Sequence, residues 1–176
     1  PILITGCTGI GKSSLAIELA KLEDSKIINA DSMQVYSSWN ILSSRPTKND
    51  VNEVSHRLYG HINHDANYSV GKWIKDVENE LFSDGLRPII VGGTGLYFKT
   101  LLKGLSDLPE ISKETRKISN NLIKNNPDLI KRILFKYDFN TFNNIDIKNL
   151  RRLQRAYEVF TETGNGLNFW KNNDLK

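Results

Sequence analysis

Features that would point to several classes of protein are scarce in this chain of 176 residues. Its single cysteine, Cys7, excludes an internal disulfide and a cysteine-rich zinc site. No apolar run approaches the roughly 20 residues that a membrane-spanning helix needs. We therefore expect a cytoplasmic protein that makes no contact with a membrane. The net charge of +4 is too small to identify an anionic partner by itself.

Strand and helix patterns alternate in the first part of the chain. Helical spacing begins near Gly11 and returns over residues 70–84, where Gly85 marks a stop. The stretch 37–67 is polar and predicts loops. The predicted strands are 2–4, 26–30 and 87–91. This alternation predicts an α/β fold with a parallel sheet covered by helices on both sides.

The second part of the chain predicts helices and no further strand. Ser112 is a candidate helix start and Gly164 a candidate helix stop. The predicted helices are 112–125, 127–135 and 148–163. We therefore predict a core domain over residues 1–104 and an added helical unit over 105–176.

A phosphate-binding loop is the most specific motif in the sequence. The pattern G-x-x-x-x-G-K-S/T lies between a predicted strand and a predicted helix, as Gly6-Cys7-Thr8-Gly9-Ile10-Gly11-Lys12-Ser13. Backbone N–H groups of such a loop, with the positive end of the following helix, bind a di- or triphosphate. Lys12 adds a full positive charge, and Ser13 is a candidate ligand of Mg²⁺. The motif predicts a three-layer core like that of P-loop NTPases.

The loop alone does not identify the reaction. Hydrolases of this class usually carry a magnesium-binding Asp at the end of a strand, but the strand at 87–91 ends in Gly92-Gly93. Asp31 follows the strand at 26–30, at the sheet edge where ligands of open α/β folds bind. Taken alone, Asp31 is equally compatible with a solvated strand end.

Several blocks resemble tRNA dimethylallyltransferases, in that family's order and across essentially the whole chain. Besides the phosphate-binding loop, they are Ala30 to Tyr36, Arg45-Pro46-Thr47, Tyr68-Ser69-Val70, Gly92 to Phe98, and Arg151 to Val159 with Thr163-Gly164. The chain departs from the family pattern at Cys7, Leu42–Ser44, Asp146–Asn149 and Arg151. The resemblance implies the N-terminal core and helical insertion of such an enzyme, whose members continue into a C-terminal part.

The resemblance implies a reaction and its residues. A dimethylallyl group would pass from dimethylallyl diphosphate to N6 of the adenosine beside the tRNA anticodon. The catalytic residues would be Asp31 as the base, Thr8, which would hydrogen-bond at the reacting end of the diphosphate, and Lys12, which would hold the diphosphate oxygens. Diphosphate binding is expected at Gly6, Cys7, Thr8, Gly9, Ile10, Gly11, Lys12, Ser13 and Arg45, with Mg²⁺ at Ser13. We expect a monomer that binds the anticodon stem-loop through Asp31, Ser32, Met33, Gln34, Thr94, Arg116, Arg151, Arg152, Leu153, Gln154 and Arg155.

Three alternatives remain open from sequence. An adenylate isopentenyltransferase would use the same chemistry on free AMP, ADP or ATP, although it needs no basic helical unit. A P-loop kinase would bind ATP in the same loop, although no Arg-rich lid is recognisable. An inactive RNA-binding remnant is the third, against which Thr8, Lys12 and Asp31 are all present.

Overall fold

The computed structural model describes residues 1–105, 108 and 110–173. The described residues form two units, which divide after Leu105. No helix among the described residues is both long and apolar enough to cross a membrane.

A sheet of four strands forms the middle of the first unit. Its strands are β1 (Ile2–Thr5), β2 (Ser25–Asn29), β3 (His56–Arg57) and β4 (Arg87–Gly92). All neighbours are parallel, in the order β1-β4-β2-β3. The carboxyl ends of the strands therefore share one edge, and the predicted α/β fold with a parallel sheet is confirmed.

Helices cover both faces of this sheet because side chains along a strand point alternately to opposite sides. The helices are α1 (Lys12–Glu23), α2 (Lys48–Glu53), α3 (Val70–Leu81) and α4 (Gly95–Lys103). Ile27 and Ile89 pack in the cluster that includes α1, whereas Ile28 and Ile90 pack in the cluster that includes α3 and α4. The predicted three-layer arrangement follows from this alternation.

Two local predictions in this unit are wrong. The stretch 37–67 was predicted as loops, but it contains α2 and β3. Strand β3 has two polar residues and forms by pairing with β2, so it leaves no apolar run in the sequence. Helix α3 ends at Leu81 rather than Asp84, and the carboxylate of Asp84 accepts a hydrogen bond of 2.5 Å from the buried Nζ of Lys26.

The second unit is helical in the described residues. Its helices are α5 (Lys113–Asn125), α6 (Pro127–Tyr137), α7 (Phe139–Asn144), α8 (Leu150–Thr163) and α9 (Leu167–Asn173). The predicted start at Ser112 is confirmed, because its Oγ accepts the N–H of Thr115. The stop at Gly164 is confirmed by its left-handed backbone, φ 71°. Helices α7 and α9 were not predicted, since each is too short to show helical spacing.

Candidate active site

The phosphate-binding loop connects β1 to α1. Gly9 and Gly11 have φ of 85° and 88°, a backbone conformation that residues with a Cβ rarely adopt. The first amide of α1 with an intrahelical partner is that of Leu15, which donates to Gly11 O at 3.0 Å. Within the described chain no side chain caps this helix. Its first N–H groups are therefore free to bind an anion.

Lys12 is the first residue of α1, and its Nζ donates to the carbonyl oxygen of Cys7 at 2.7 Å. The bond holds the ammonium group against the loop that contains the candidate anion-binding amides. Ser13 follows, with an exposed side chain on the same turn. The loop therefore combines a full positive charge with a hydroxyl at one helix end, as the sequence predicted.

Asp31 lies two residues beyond the end of β2, directly after Ala30. Its Oδ1 accepts the N–H of Met33 at 2.9 Å, which fixes the carboxylate above the strand end. Gly93, the residue after β4, is its neighbour, because a Cβ there would lie in ordinary contact with Asp31 Oδ2, at 3.4 Å. Gly92 is needed because a Cβ there would lie 2.1 Å from the carbonyl oxygen of Ala30. Gly92 thus allows β4 to approach the backbone of Ala30, the residue before Asp31.

A cavity of about 500 Å³ joins the loop to Asp31. The predicted site residues along its wall are Thr8, Gly9, Gly11, Lys12, Ser13, Asp31, Met33 and Gln34. The other lining residues are Ser14, Leu42, Ser43, Ser44, Tyr59, Val91, Gly92 and Gly93. The structure therefore brings the phosphate-binding loop and the candidate base to one space, large enough for a small organic diphosphate.

Six predicted residues of this unit lie outside that wall: Gly6, Cys7, Ile10, Ser32, Arg45 and Thr94. Arg45 donates from Nη1 to Tyr36 O at 3.1 Å and from Nε to Asn40 Oδ1 at 3.2 Å. Its guanidinium thus closes the loop 36–45. It also lines a smaller neighbouring cavity of about 80 Å³, which shares Ser13 with the first. The predicted diphosphate contact of Arg45 stays a prediction.

The residues after Asp31 are tied to neighbouring segments. Ser32 donates its N–H to Thr94 Oγ1 at 2.9 Å, so these two predicted RNA-binding residues are joined. Gln34 donates from Nε2 to the carbonyl oxygens of Ser43 and Ser44 at 2.8 and 3.1 Å. Gln34 therefore holds the segment Leu42–Ser44, which departs from the family pattern, against the cavity. Met33 remains half exposed.

Two residues of the site were missed at the sequence level. Tyr59 lines both cavities. Burial raises the pKa of its phenol, and the charge of Asp31 raises it further, so the hydroxyl stays protonated and can donate a hydrogen bond. Asn29 lies at the end of β2 and bonds to Asp31. The available signal for Asn29 was a polar residue between the apolar Ile28 and Ala30 of a predicted strand, whereas nothing in the local pattern marked Tyr59.

The predicted RNA-binding residues of the second unit divide into three groups. Arg116, Arg151 and Arg152 are exposed. Leu153 is fully buried in the core of the unit, so its predicted contact with tRNA is wrong and its role is packing. Gln154 and Arg155 are half buried, and the Gln154 amide donates to Asn120 Oδ1 and Ser119 Oγ.

Charges of both signs act on Arg155. Burial lowers the pKa of its guanidinium, the carboxylate of Glu158 opposes that shift, and the charge of Arg116 adds to it. Arg155 Nη1 lies 3.9 Å from Glu158 Oε2, so this carboxylate offsets part of the positive charge of Arg155.

Comparison with known proteins gives consistent matches over both units. The model of the family described as IPP transferase matches residues 34–176. The tRNA dimethylallyltransferase of Cereibacter sphaeroides strain ATCC 17025 is 43% identical over 171 residues, covering 97% of this chain and 58% of that protein. The tRNA dimethylallyltransferase of Rhizobium johnstonii is 44% identical over 170 residues, covering 94% and 57%. The chain thus spans less than three-fifths of the length of these relatives.

Solved structures match in fold as well. A eukaryotic dimethylallyltransferase acting on tRNA is similar with a TM-score of 0.81 and 29% identity, covering 97% of this chain and 44% of that one. A tRNA isopentenylpyrophosphate transferase from Staphylococcus epidermidis is similar with a TM-score of 0.53 and 31% identity, covering 99% and 59%. The resemblance found in the sequence is therefore confirmed.

Proposed function

Because the chain belongs to the IPP transferase family, we propose that the protein transfers a dimethylallyl group from dimethylallyl diphosphate to N6 of the adenosine adjacent to the tRNA anticodon. One observation carries the proposal: the phosphate-binding loop and Asp31 line the same cavity. An alkyl transfer of this kind needs a site for the charged leaving group and a base for the proton that is removed. The phosphate-binding loop would provide the first and Asp31 the second.

The leaving diphosphate would bind at the start of α1. The free N–H groups of its first turn and the Nζ of Lys12 would stabilise the negative charge that develops as the carbon–oxygen bond breaks. Thr8 lines the cavity beside them, and its hydroxyl would donate to the diphosphate at the reacting end. Lys12 would exchange the carbonyl oxygen of Cys7 for phosphate oxygens.

A magnesium ion fits these residues. Mg²⁺ takes oxygen ligands and usually keeps several waters alongside one or two protein groups and substrate phosphates. The exposed hydroxyl of Ser13 in the cavity wall supplies such a ligand, and among the described residues no cluster of three His, Cys, Asp or Glu competes for the ion. When bound, the ion would neutralise charge on the diphosphate.

Asp31 would be the general base. As the bond from N6 to the prenyl carbon forms, the carbon–oxygen bond breaks and its electron pair leaves with the diphosphate. The N6 proton passes to the Asp31 carboxylate, which assists a poor aromatic amine nucleophile. The apolar side chains of Met33, Leu42 and Val91 in the cavity wall would exclude water from the cation-like carbon.

The acceptor adenosine must leave its stack in the anticodon loop to enter such a cavity. Ser32, Met33, Gln34 and Thr94 would then contact the base, and Arg116, Arg151, Arg152 and Arg155 would bind phosphates of the stem-loop. The exposure of Arg116, Arg151 and Arg152 supports this role. The names of the relatives favour tRNA over a free nucleotide as the acceptor.

The test is label transfer by the full-length protein with radiolabelled dimethylallyl diphosphate and Mg²⁺. We expect label in unmodified tRNA that carries an adenosine after the anticodon, and about 10²–10⁴-fold less with Asp31→Asn. Asp65→Asn, the same change on an exposed loop, should keep full activity. Label only in free AMP would assign the adenylate enzyme, and no label with tight ATP binding would favour a kinase.

A further inference from the structure

Asn29 is a fully buried polar residue at the carboxyl end of β2. Ile27 and Ile28 precede it and Ala30 follows, all of them buried apolar residues. An unpaired amide in such surroundings would be costly, so the partners of Asn29 show what it does.

The side chain of Asn29 bonds to both backbone polar groups of Asp31. Asn29 Oδ1 accepts the N–H of Asp31 at 2.9 Å, and Asn29 Nδ2 donates to the carbonyl oxygen of Asp31 at 3.0 Å. The two bonds fix both peptide groups that flank the Asp31 Cα. Because Asp31 Oδ1 also accepts the N–H of Met33, the Asp31 carboxylate has little freedom left to turn.

The same amide also bonds to a second segment of the cavity wall. Asn29 Nδ2 donates to the carbonyl oxygen of Leu58 at 3.1 Å. Leu58 has a left-handed backbone, φ 61°, which is strained for leucine. Tyr59, the next residue, lines the cavity. One side chain therefore sets the positions of Asp31 and of the segment that carries Tyr59.

Asn29 is itself held in place. Its carbonyl oxygen accepts the indole N–H of Trp73 at 2.9 Å in the core. Trp73 stacks on Tyr97, with ring centroids 4.2 Å apart and planes 14° apart. Helices α3 and α4 thus fix the main chain of Asn29 while its side chain points along the sheet edge.

We propose that Asn29 is the positioning residue of the base Asp31, and that it keeps the carboxylate aimed into the cavity; this inference rests on the proposed function. Asparagine suits the task because one acceptor and two donors are needed together. Aspartate at 29 would keep the acceptor and lose both donors. Serine would supply a single donor at shorter reach.

The test is a double-mutant cycle in the full-length protein, with label transfer to tRNA as the assay. Misplacement of a reacting group by about 1 Å can cost on the order of 10²-fold, so we expect Asn29→Ala to lower kcat by roughly 10–100-fold. The KM for dimethylallyl diphosphate should change little, because no hydrogen bond of the described structure joins Asn29 to the phosphate-binding loop. In an Asp31→Asn background the same change should have almost no effect, since two residues that act together are not additive.

A buried valine provides the matched control. Val77 lies on α3 in the same core cluster as Trp73, and its side chain makes no hydrogen bond. Val77→Ala should therefore change kcat by the same factor in the unchanged and the Asp31→Asn backgrounds. Asn29→Ser, a milder variant, should lie between Asn29→Ala and the unchanged protein. Equal losses for Asn29→Ala in the two backgrounds would refute the positioning role while leaving the proposed function intact.

Amide hydrogen exchange supplies a readout that does not depend on activity. The Asp31 N–H donates to Asn29 Oδ1, so Asn29→Ala should speed exchange at Asp31 more than Val77→Ala does. Unchanged exchange at Asp31 would overturn the inference even if no acceptor for the prenyl group were found. Absence of label transfer by the unchanged protein would instead overturn the proposed function, and the exchange result would still decide the role of Asn29.

Discussion

Gly92 is the position where we expect one added methyl group to damage the site most. A Cβ there would lie 2.1 Å from the oxygen, 2.2 Å from the carbonyl carbon and 2.8 Å from the Cα of Ala30. The obstacle is backbone, so no side-chain rotation relieves it. Gly92→Ala must therefore push the ends of β2 and β4 apart, by about 1 Å if carbon–oxygen contacts are to approach their usual separation.

Two hydrogen bonds cross the junction that would open. Ala30 donates its N–H to Val91 O at 2.7 Å, and Thr94 donates its N–H to Ala30 O at 3.2 Å. Forced overpacking typically costs about 1–3 kcal/mol, and each weakened hydrogen bond about 0.5–1.5 kcal/mol. We therefore expect Gly92→Ala to lower the free energy of unfolding by about 2–6 kcal/mol. Prenyl transfer should fall as well, because Asp31 follows the displaced Ala30.

Urea unfolding of the full-length protein measures the effect, and Gly95→Ala is the control. A Cβ at Gly95 would meet no heavy atom of the described structure within 4 Å. Gly95 is the first residue of α4, so alanine should leave stability unchanged or raise it by up to about 1 kcal/mol. Equal stability of the Gly92→Ala protein and the unchanged protein would refute the close approach of β2 and β4.

Three further changes test separate parts of the structure. Lys12→Met should weaken dimethylallyl diphosphate binding at least about tenfold, since it removes a charge-assisted contact. Calorimetric titration measures the affinity, and an affinity equal to that of the unchanged protein would contradict the proposed anion site. Leu153→Ala should lower the free energy of unfolding by about 2–5 kcal/mol because Leu153 is fully buried. Leu150→Ala, at a half-exposed position on the same helix, should cost far less. Equal losses of stability in urea would contradict the burial of Leu153. Burial lowers the pKa of His56, so His56 contributes stability that is present above the unfolded-state pKa of about 6.5 and is lost as pH falls through the lower folded-state value. His56→Gln should therefore flatten the pH dependence of the free energy of unfolding in that window, measured with urea. An unchanged pH dependence would contradict the burial effect on His56.

The phosphate-binding loop could be predicted from sequence because its function depends on local geometry. Gly9, Gly11, Lys12 and Ser13 act within a single turn, and the structure places them where the motif requires. The order of the strands is different in kind. That β4 lies between β1 and β2 depends on pairing between residues about 60 to 90 positions apart, which no local pattern encodes. The contact of Gly92 with Ala30 was therefore out of reach of the sequence.

Helix α8 shows how a family block can mislead about single residues. The block from Arg151 to Arg155 was assigned to tRNA as a whole, yet a helix turns 100° per residue and shows only part of such a run to one side. Leu153 and Ala156 are buried, as is Val159, a spacing of three that was visible in the sequence. Applying helical spacing within the block would have separated the exposed Arg151 and Arg152 from the packing residue Leu153.

The strand order also explains why the phosphate-binding loop and Asp31 suit the two ends of one reaction. The loop follows β1 and Asp31 follows β2, with β4 between them. Neighbouring strands lie about 4.8 Å apart, so the two groups are separated by about 10 Å across the sheet edge. The middle strand ends in Gly92-Gly93, without a side chain to fill that gap. A diphosphate at β1 could therefore direct a five-carbon chain over β4 toward an amine held at β2. A bulky residue at Gly93 should then block the prenyl donor from reaching Asp31 while leaving inorganic diphosphate able to bind the loop.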